Sequence, residues 1–257
     1  MAFSGPFSSD VPFWNNGPSP GCLYDFPKAN LSNTSNGGFN QRSQRPITTT
    51  TSVLAMKFDG GVILSADMLG SYGSLARFPN CPRLVRVNKN ILIGASGDYA
   101  DFQYLKDIIQ QKIIDEDCMD DGFHLKPKSL YCWLTRVLYN RRSKFDPLWN
   151  TYVVAGLQDG EPFLGGVNML GTAFEDSTVA TGYGAYMALP LMRDAYEKKP
   201  NMSQQEAYQL LVKCMEVLYY RDGRAFNKYQ IATITASGIE ITEPLSIVGN
   251  WTMANTY

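Results

Sequence analysis

Few residues in this chain are of types suited to chemistry, and they are scattered. His124 is the single histidine, and it lies in the polar stretch from Asp120 to Lys126, so any mechanism needing an imidazole base rests on that one side chain. The five cysteines, Cys22, Cys81, Cys118, Cys132 and Cys214, are odd in number and form no CxxC pair. Buried thiols in a reducing compartment explain them better than disulfides or a zinc site. Gly182-x-Gly184 follows a strand-like run and precedes a helical one, but it lacks the third glycine and the later acidic partner of a dinucleotide site. The Asn-x-Ser/Thr frames at Asn30, Asn33, Asn201 and Asn250 are chance matches unless the chain is exported. What remains is a row of hydroxyls, Thr48 to Thr51, leading into SVLAMKFDGGVILSAD and its terminal carboxylate, Asp67. A threonine hydroxyl is a weak nucleophile unless a base takes its proton, and four threonines in succession equally suit the start of a β-strand.

The elements that would position these residues can be read from periodicity. Ser52 to Phe58 and Val62 to Ala66 are short apolar segments joined at Asp59-Gly60-Gly61, a hairpin signature. A loop, MLGSYGSLARFPNCP, is expected next, followed by strands over Arg83 to Val87 and Ile91 to Ala95. From Asp98 the period changes: Phe102, Leu105, Ile108, Ile109 and Ile113 share one helical face. A second helix carries Leu130, Trp133, Leu134, Val137 and Leu138, with Pro127 in its first turn. Arg136, Arg141, Arg142 and Lys144 toward its end are either a solvated basic face complementing the helix dipole or a docking patch. Tyr152 to Leu157 and Pro162 to Val167 form another hairpin, and Ala173 to Ala180 reads as one further strand. Met187 to Lys198 is helical with Pro190 in its first turn. Ser203-Gln-Gln-Glu206 is a capping box opening a helix with Ala207, Leu210, Leu211, Cys214 and Leu218 on one face. Tyr229 to Ala236 and Ile239 to Thr242 close the chain's fold as a hairpin around Ser237-Gly238.

The order is thus strands, two helices, strands, two helices, strands. Hairpin-linked strands are antiparallel, and helix pairs between strand groups must cover sheet faces. The expected fold class is α+β: two antiparallel sheets packed together with helices outside both. Residues 1–45 are rich in Gly, Pro, Ser and Asn with isolated aromatics and read as a flexible leader. Residues 46–244 form the domain, and 245–257 a tail. Of 257 residues, 44% are hydrophobic and 18% charged, with a formal net charge of −1. Such a balance supports a large core and lacks the basic footprint of a nucleic-acid binder. No apolar run reaches membrane-spanning length, and the first residues lack the layout of a secretory signal, so neither a nucleic acid nor a membrane is expected as partner. No cofactor or metal is implied.

Longer stretches carry a resemblance. The threonine row with SVLAMKFDGGVILSAD, the later GASGDYADFQYL, the GYGAY turn and YYRDGRAFNKYQIATI resemble proteasome β-type subunits, which have the N-terminal nucleophile hydrolase fold. DMLGSYGSLARF, LTRVLYNRRSK, PLWNTYVVAG and the closing NW are similar to a non-catalytic member of the eukaryotic β ring. The likeness spans about Pro46 to Trp251. It implies a four-layer αββα sandwich, partnership with other proteasome α and β subunits in stacked seven-membered rings of the 20S core particle, and residence in cytoplasm and nucleus.

The resemblance also assigns positions. Active relatives expose a threonine at the mature N-terminus whose hydroxyl attacks the peptide carbonyl while its free α-amine handles the proton. A lysine supports the nucleophile, and an aspartate holds the lysine. Here these positions fall on Thr51, Asp67 and Arg83. Arginine stays protonated and is not a tunable amine, and Thr50 stands where active relatives are cut after a glycine. Tyr183 and Ala225 stand where serines are expected, whereas Asp222 and the oxyanion-loop glycine, Gly97, remain. The resemblance therefore implies a non-catalytic subunit with these seven as remnants of an active site. Cleavage of the leader is expected near Asn40 to Ile47, and the tail, with Trp251, Met253 and Tyr257, is expected to reach the opposite β ring. Two alternatives stay open: an autoprocessed threonine peptidase using Thr51, and a stand-alone binding protein on the same fold.

Overall fold

A computed structural model of the chain describes residues 45–122 and 124–252. An eight-stranded antiparallel sheet contains β1 (Thr48–Thr50), β4 (Gly70–Tyr72), β5 (Leu75–Phe78), β6 (Leu84–Arg86), β7 (Ile91–Asp98), β8 (Asn150–Gln158), β9 (Glu161–Val167) and β10 (Ala173–Glu175). Its order is β10-β9-β8-β7-β1-β4-β5, with β6 also on β7. A six-stranded antiparallel sheet contains β2 (Val53–Phe58), β3 (Gly61–Asp67), β11 (Thr178–Ala180), β12 (Lys228–Thr235), β13 (Gly238–Ile241) and β14 (Leu245–Ser246). Its order is β11-β2-β3-β12-β13, with β14 also on β12.

Period-two alternation divides the apolar side chains into three layers. From β2, Leu54, Met56 and Phe58 point to one side while Val53 and Ala55 point to the other. From β7, Ile91, Ile93 and Ala95 face away from the second sheet, and Leu92 faces it. The middle layer, with Val53, Leu64, Leu92, Val153 and Ile234, fills the space between the sheets. Helices α1 (Tyr99–Met119) and α2 (Pro127–Ser143) cover the eight-stranded sheet through Phe102, Leu105, Leu130 and Leu134. Helices α3 (Gly184–Met187), α4 (Leu189–Lys198) and α5 (Gln204–Arg221) cover the other through Met192, Leu211 and Leu218. This is the four-layer αββα sandwich of the N-terminal nucleophile hydrolases.

Local rules place the ends of these elements. Pro127 opens α2, where its missing N–H costs nothing. The Ser203 hydroxyl accepts from Glu206 N at 3.4 Å, and a Glu206 oxygen accepts from Ser203 N at 3.0 Å, so the capping box forms reciprocally.

Several expectations need correction. The threonine row is not the start of the first hairpin: Thr48–Thr50 lies in the eight-stranded sheet and Val53 begins the six-stranded one, so the chain changes sheets at Thr51-Ser52. The loop expected after Asp67 contains a second hairpin, β4 and β5. Ala173 to Ala180 is two strands, because Phe174 pairs with Gly166 while Val179 pairs with Ala55 of the other sheet. The tail begins with a strand, Tyr229 pairing with Leu245. Of the described cysteines, Cys81 and Cys214 are buried, but Cys118 and Cys132 are exposed on the outer faces of α1 and α2. Residues 1–44 of the leader, with Cys22, and Met253 and Tyr257 lie outside the described residues.

Candidate functional site

Four of the seven positions singled out from the sequence, Thr51, Asp67, Arg83 and Asp222, meet at the crossover. β3 delivers Asp67 at its last residue, β6 is preceded by Arg83, and the turn after α5 delivers Asp222 beside Thr51. Arg83 is 1% exposed and Asp67 2%. The guanidinium has five N–H bonds, and each finds an acceptor. Nε donates to Asp67 O at 3.0 Å, Nη1 to Thr51 O at 2.7 Å and Ala95 O at 3.1 Å, and Nη2 to Ser52 O at 2.9 Å and to the Asp67 carboxylate. Thr51 and Ser52 have left one sheet and not yet joined the other, so their carbonyls have no ladder partner. Arg83 supplies it, and ties β3 of one sheet to β7 of the other through Asp67 and Ala95.

The electrostatics follow from that burial. Loss of water pushes the Asp67 carboxyl up to about 6, with the Asp222 charge adding and the Arg83 guanidinium opposing. Asp67 Oδ2 and the nearby Ser65 Oγ are buried without a hydrogen-bond partner. Burial also raises the Cys81 thiol, so it is held as a thiol and not a reactive thiolate.

Thr51 itself is half-buried. Its hydroxyl donates to Asp222 Oδ2 at 2.5 Å and lies 3.4 Å from Ser52 Oγ. Asp222 is 5% exposed, and its other oxygen accepts from Arg224 N at 2.9 Å. Ala225 donates its backbone N–H to Asp222 O at 3.0 Å and offers no hydroxyl. The Thr51 nitrogen is an amide continuous with β1, and β1 is paired on both sides: Thr49 opposite Ser71 of β4, and Thr50 opposite Gly97 of β7. The row of threonines is thus a built-in strand. Thr50 Oγ1 donates to Gly97 O at 3.0 Å, tightening it further.

Gly97 lies near the end of β7, just before the N-cap of α1 at Asp98. Its φ is +103°, and a Cβ there would lie 2.0 Å from Trp149 O, so the backbone requires glycine whatever the chemistry. Tyr183 is 59% exposed and borders, with Thr49, Thr50, Thr51, Gly182 and Arg224, a shallow cleft of about 220 Å³. His124 lies elsewhere, in a cavity bordered by Arg86, Lys89 and Glu116. Among the described residues no group of three or more His, Cys, Asp or Glu could hold a metal ion.

Sequence reasoning missed two polar residues of the crossover. Ser52 is buried, and its hydroxyl accepts from Gly184 N at 2.8 Å, pinning the GYGAY turn to the crossover. Thr181 Oγ1 accepts from Val53 N at 2.9 Å and completes the start of β2. A signal existed: Ser52 interrupts the apolar alternation just ahead of Val53, and a buried hydroxyl needs a partner.

Arranged this way, the site has a threonine hydroxyl beside a carboxylate, with β1 directly ahead of Thr51 and a guanidinium whose five N–H bonds are all occupied beneath it. The Trp251 ring packs edge-on against Tyr219 and Tyr220 of α5, at centroid distances of 5.9 and 5.1 Å, and Asn250 N donates to the Tyr220 hydroxyl at 2.7 Å. Trp251 keeps 51% of its surface exposed.

Comparison with known proteins agrees with this architecture. Residues 47–234 match the family model described as proteasome subunit. The chain is 54% identical over 239 residues to proteasome subunit beta type-4 of Xenopus laevis, covering 93% of this chain and 96% of that one. The beta type-4 subunit of Drosophila melanogaster is 44% identical, with 95% of each chain covered. Proteasome subunit beta type-7 of Saccharomyces cerevisiae is 44% identical over 200 residues, 75% of each chain. With its two sheets, its helical layers and these likenesses, the chain belongs to the proteasome subunit family.

Proposed function

We propose that this chain is a non-catalytic, structural subunit of the proteasome core particle, assembling with other proteasome α and β subunits in stacked rings that degrade proteins. The observation carrying the reading is the strand ahead of Thr51: Thr48–Thr50 form β1, hydrogen-bonded between β4 and β7, so freeing the Thr51 amine would require cutting a doubly paired strand away. While that strand stays attached the Thr51 nitrogen is an amide without a basic lone pair, and the amine chemistry of the family has no starting point. Arg83 supports the reading, because a guanidinium with five occupied N–H bonds neither gives up nor receives a proton at ordinary pH. Assembly rests on the similarity to beta type-4 subunits over most of the chain. The leader is removed ahead of β1, near Asn40 to Ile47, the tail with Trp251, Met253 and Tyr257 reaches the facing ring, and the subunit resides in cytoplasm and nucleus.

One observation favours a second reading. The 2.5 Å hydrogen bond from Thr51 to Asp222 would suit a peptidase if cleavage freed the amine. Mass spectrometry of the particle decides between them. A mature chain beginning upstream of Thr48, and no covalent adduct on Thr51 with a threonine-directed peptide epoxyketone, is the expected result. A mature N-terminus at Thr51 with an adduct there would overturn the proposal, and migration of the chain in cell extract as a lone 28.7 kDa protein would overturn the assembly.

A further inference from the structure

Two buried oxygens near the crossover are left over once its hydrogen bonds are assigned. Ser65 is 0% exposed and Asp67 2%, yet neither Ser65 Oγ nor Asp67 Oδ2 has a hydrogen-bond partner within the chain. The two residues are next-but-one neighbours on β3, so their side chains leave the strand on one face. Alternation says which face. Val62, Leu64 and Ala66 belong to the layer between the sheets, and Ile63 to the layer under α5, so Ser65 and Asp67 share the helix side with Ile63. In the ladder Leu54 and Ile231 stand opposite Ser65, and Tyr229 opposite Asp67. These three pack in one apolar cluster with Leu218 of α5.

A hydroxyl and a carboxylate oxygen stranded among apolar side chains are costly, and native interiors pair such groups. The two do not bond each other. Alternate residues of a strand lie about 7 Å apart, and one molecule making a hydrogen bond of about 2.8 Å to each side bridges oxygens separated by about 4–5.5 Å. Charge identifies the occupant. Arg83 already neutralises Asp67, so a second cation would be repelled by the guanidinium. An anion would meet the carboxylates of Asp67 and Asp222, which already act on one another. What fits is small, neutral and able to donate to a carboxylate while bonding a hydroxyl, which describes water.

We propose that Ser65 and Asp67 hold one buried water molecule between β3 and α5, hydrogen-bonded to Ser65 Oγ and Asp67 Oδ2, as a fixed part of the crossover. Arg83 takes one carboxylate oxygen and the water takes the other, so the carboxylate cannot turn away from the guanidinium that carries the Thr51 and Ser52 carbonyls. Ser65 is thereby a positioning residue, since its hydroxyl bonds none of these groups itself and acts through the water. The site is independent of whether Thr51 has any chemistry.

A density map at about 2 Å or better, from the full chain in whatever assembly it enters, tests the site directly. One spherical peak at about 2.6–3.2 Å from both oxygens is expected. A map without that peak overturns the proposal, and so does a peak ringed by oxygens at about 2.0–2.6 Å, which is a bound cation. Ser65→Ala gives a second arm. Removing a hydroxyl that has no partner should leave the melting temperature unchanged or higher, whereas removing one that anchors a water should lower it by about 2–6 °C, the result expected. The titration of Asp67, followed by carboxyl 13C NMR and identified by its loss in Asp67→Asn, separates this from simple packing. Arg83 ahead of β6, Asp222 after α5 and Cys81 act on or feel this carboxyl, and Tyr229 of β12 stands opposite it; the variant alters none of them. Losing a donor to the ionised form should weaken the acid about tenfold. An unchanged or stronger acid, or an undiminished melting temperature, refutes the water bridge.

Discussion

Replacing Arg83 by methionine tests the centre of the fold. The substitution removes five donors at once and leaves the Asp67 carboxylate, 2% exposed, without its charge partner. Breaking a buried ion pair from one side costs about 3–5 kcal/mol, and the orphaned carbonyls of Thr51, Ser52 and Ala95 push toward the upper end. In a domain of this size 1 kcal/mol corresponds to roughly 2–4 °C, so the melting temperature should fall by about 6–20 °C. The pH dependence is diagnostic. Asp67 holds its proton up to about 6 in the folded chain, above the ordinary carboxylate value, so its contribution to stability is full below about pH 4 and is lost as pH rises through 6. Arg83 is the group that opposes this rise; without it the folded-state value climbs further and the loss continues to higher pH. The deficit of Arg83→Met relative to the unaltered chain should therefore be larger at about pH 8 than at about pH 5. Differential scanning fluorimetry across that range measures it. A melting temperature within about 2 °C of the unaltered chain, or a deficit equal at both pH values, would refute the assignment of Arg83 as the tie between sheets. The double variant Arg83→Met, Asp67→Leu should recover much of the loss, because it removes the stranded charge as well.

Other substitutions test neighbouring features. Gly97→Ala should cost about 3 kcal/mol or more, because it combines a left-handed φ with a Cβ placed 2.0 Å from Trp149 O; expression of soluble chain with an unchanged urea midpoint would contradict it. Trp251→Ala removes two edge-on aromatic contacts, worth together about 1–3 kcal/mol. Its effect should appear as faster amide exchange over Leu245 to Thr252 with little change in the exchange of β3, and uniform acceleration through both segments would count against a local anchor. Thr51→Ala should leave the peptidase activities of assembled particles unchanged.

The two central hairpins and the covering helices were legible because each is a local pattern. Alternation through Val53–Phe58 and Val62–Ala66 around Asp59-Gly60-Gly61, the Leu130 to Leu138 stripe behind Pro127 and the box at Ser203 and Glu206 all express their structure within a dozen residues. The sheet change at Thr51-Ser52 was not legible. Apart from Ser52 interrupting the apolar alternation, nothing local distinguishes it from one long strand, and the group that makes it stable is a guanidinium from about thirty residues further on. Ala173 to Ala180 failed in the same way: it is apolar and β-branched enough for one strand, but its two halves pair with Gly166 and Ala55 in different sheets. At the site, Thr51, Asp67, Arg83 and Asp222 came from resemblance and the structure brings them together. Ser52 and Thr181 were overlooked because their role is to satisfy backbone groups of a turn that the sequence does not reveal.

The pairing of β3 with β12 couples the beginning of the domain to its far end. During synthesis the β2–β3 hairpin leaves the ribosome early, but one edge of β3 has no neighbour until the stretch Lys228–Thr235 emerges. For most of translation an apolar strand, with Val62, Ile63 and Leu64 fully buried in the finished protein, waits with open backbone groups, a template for aggregation. Emergence of Lys228–Thr235, and not the completion of the first hairpin, is therefore the step at which the nascent polypeptide can close its second sheet, and a chain arrested before that stretch should be a strong client for chaperones that shield exposed strands.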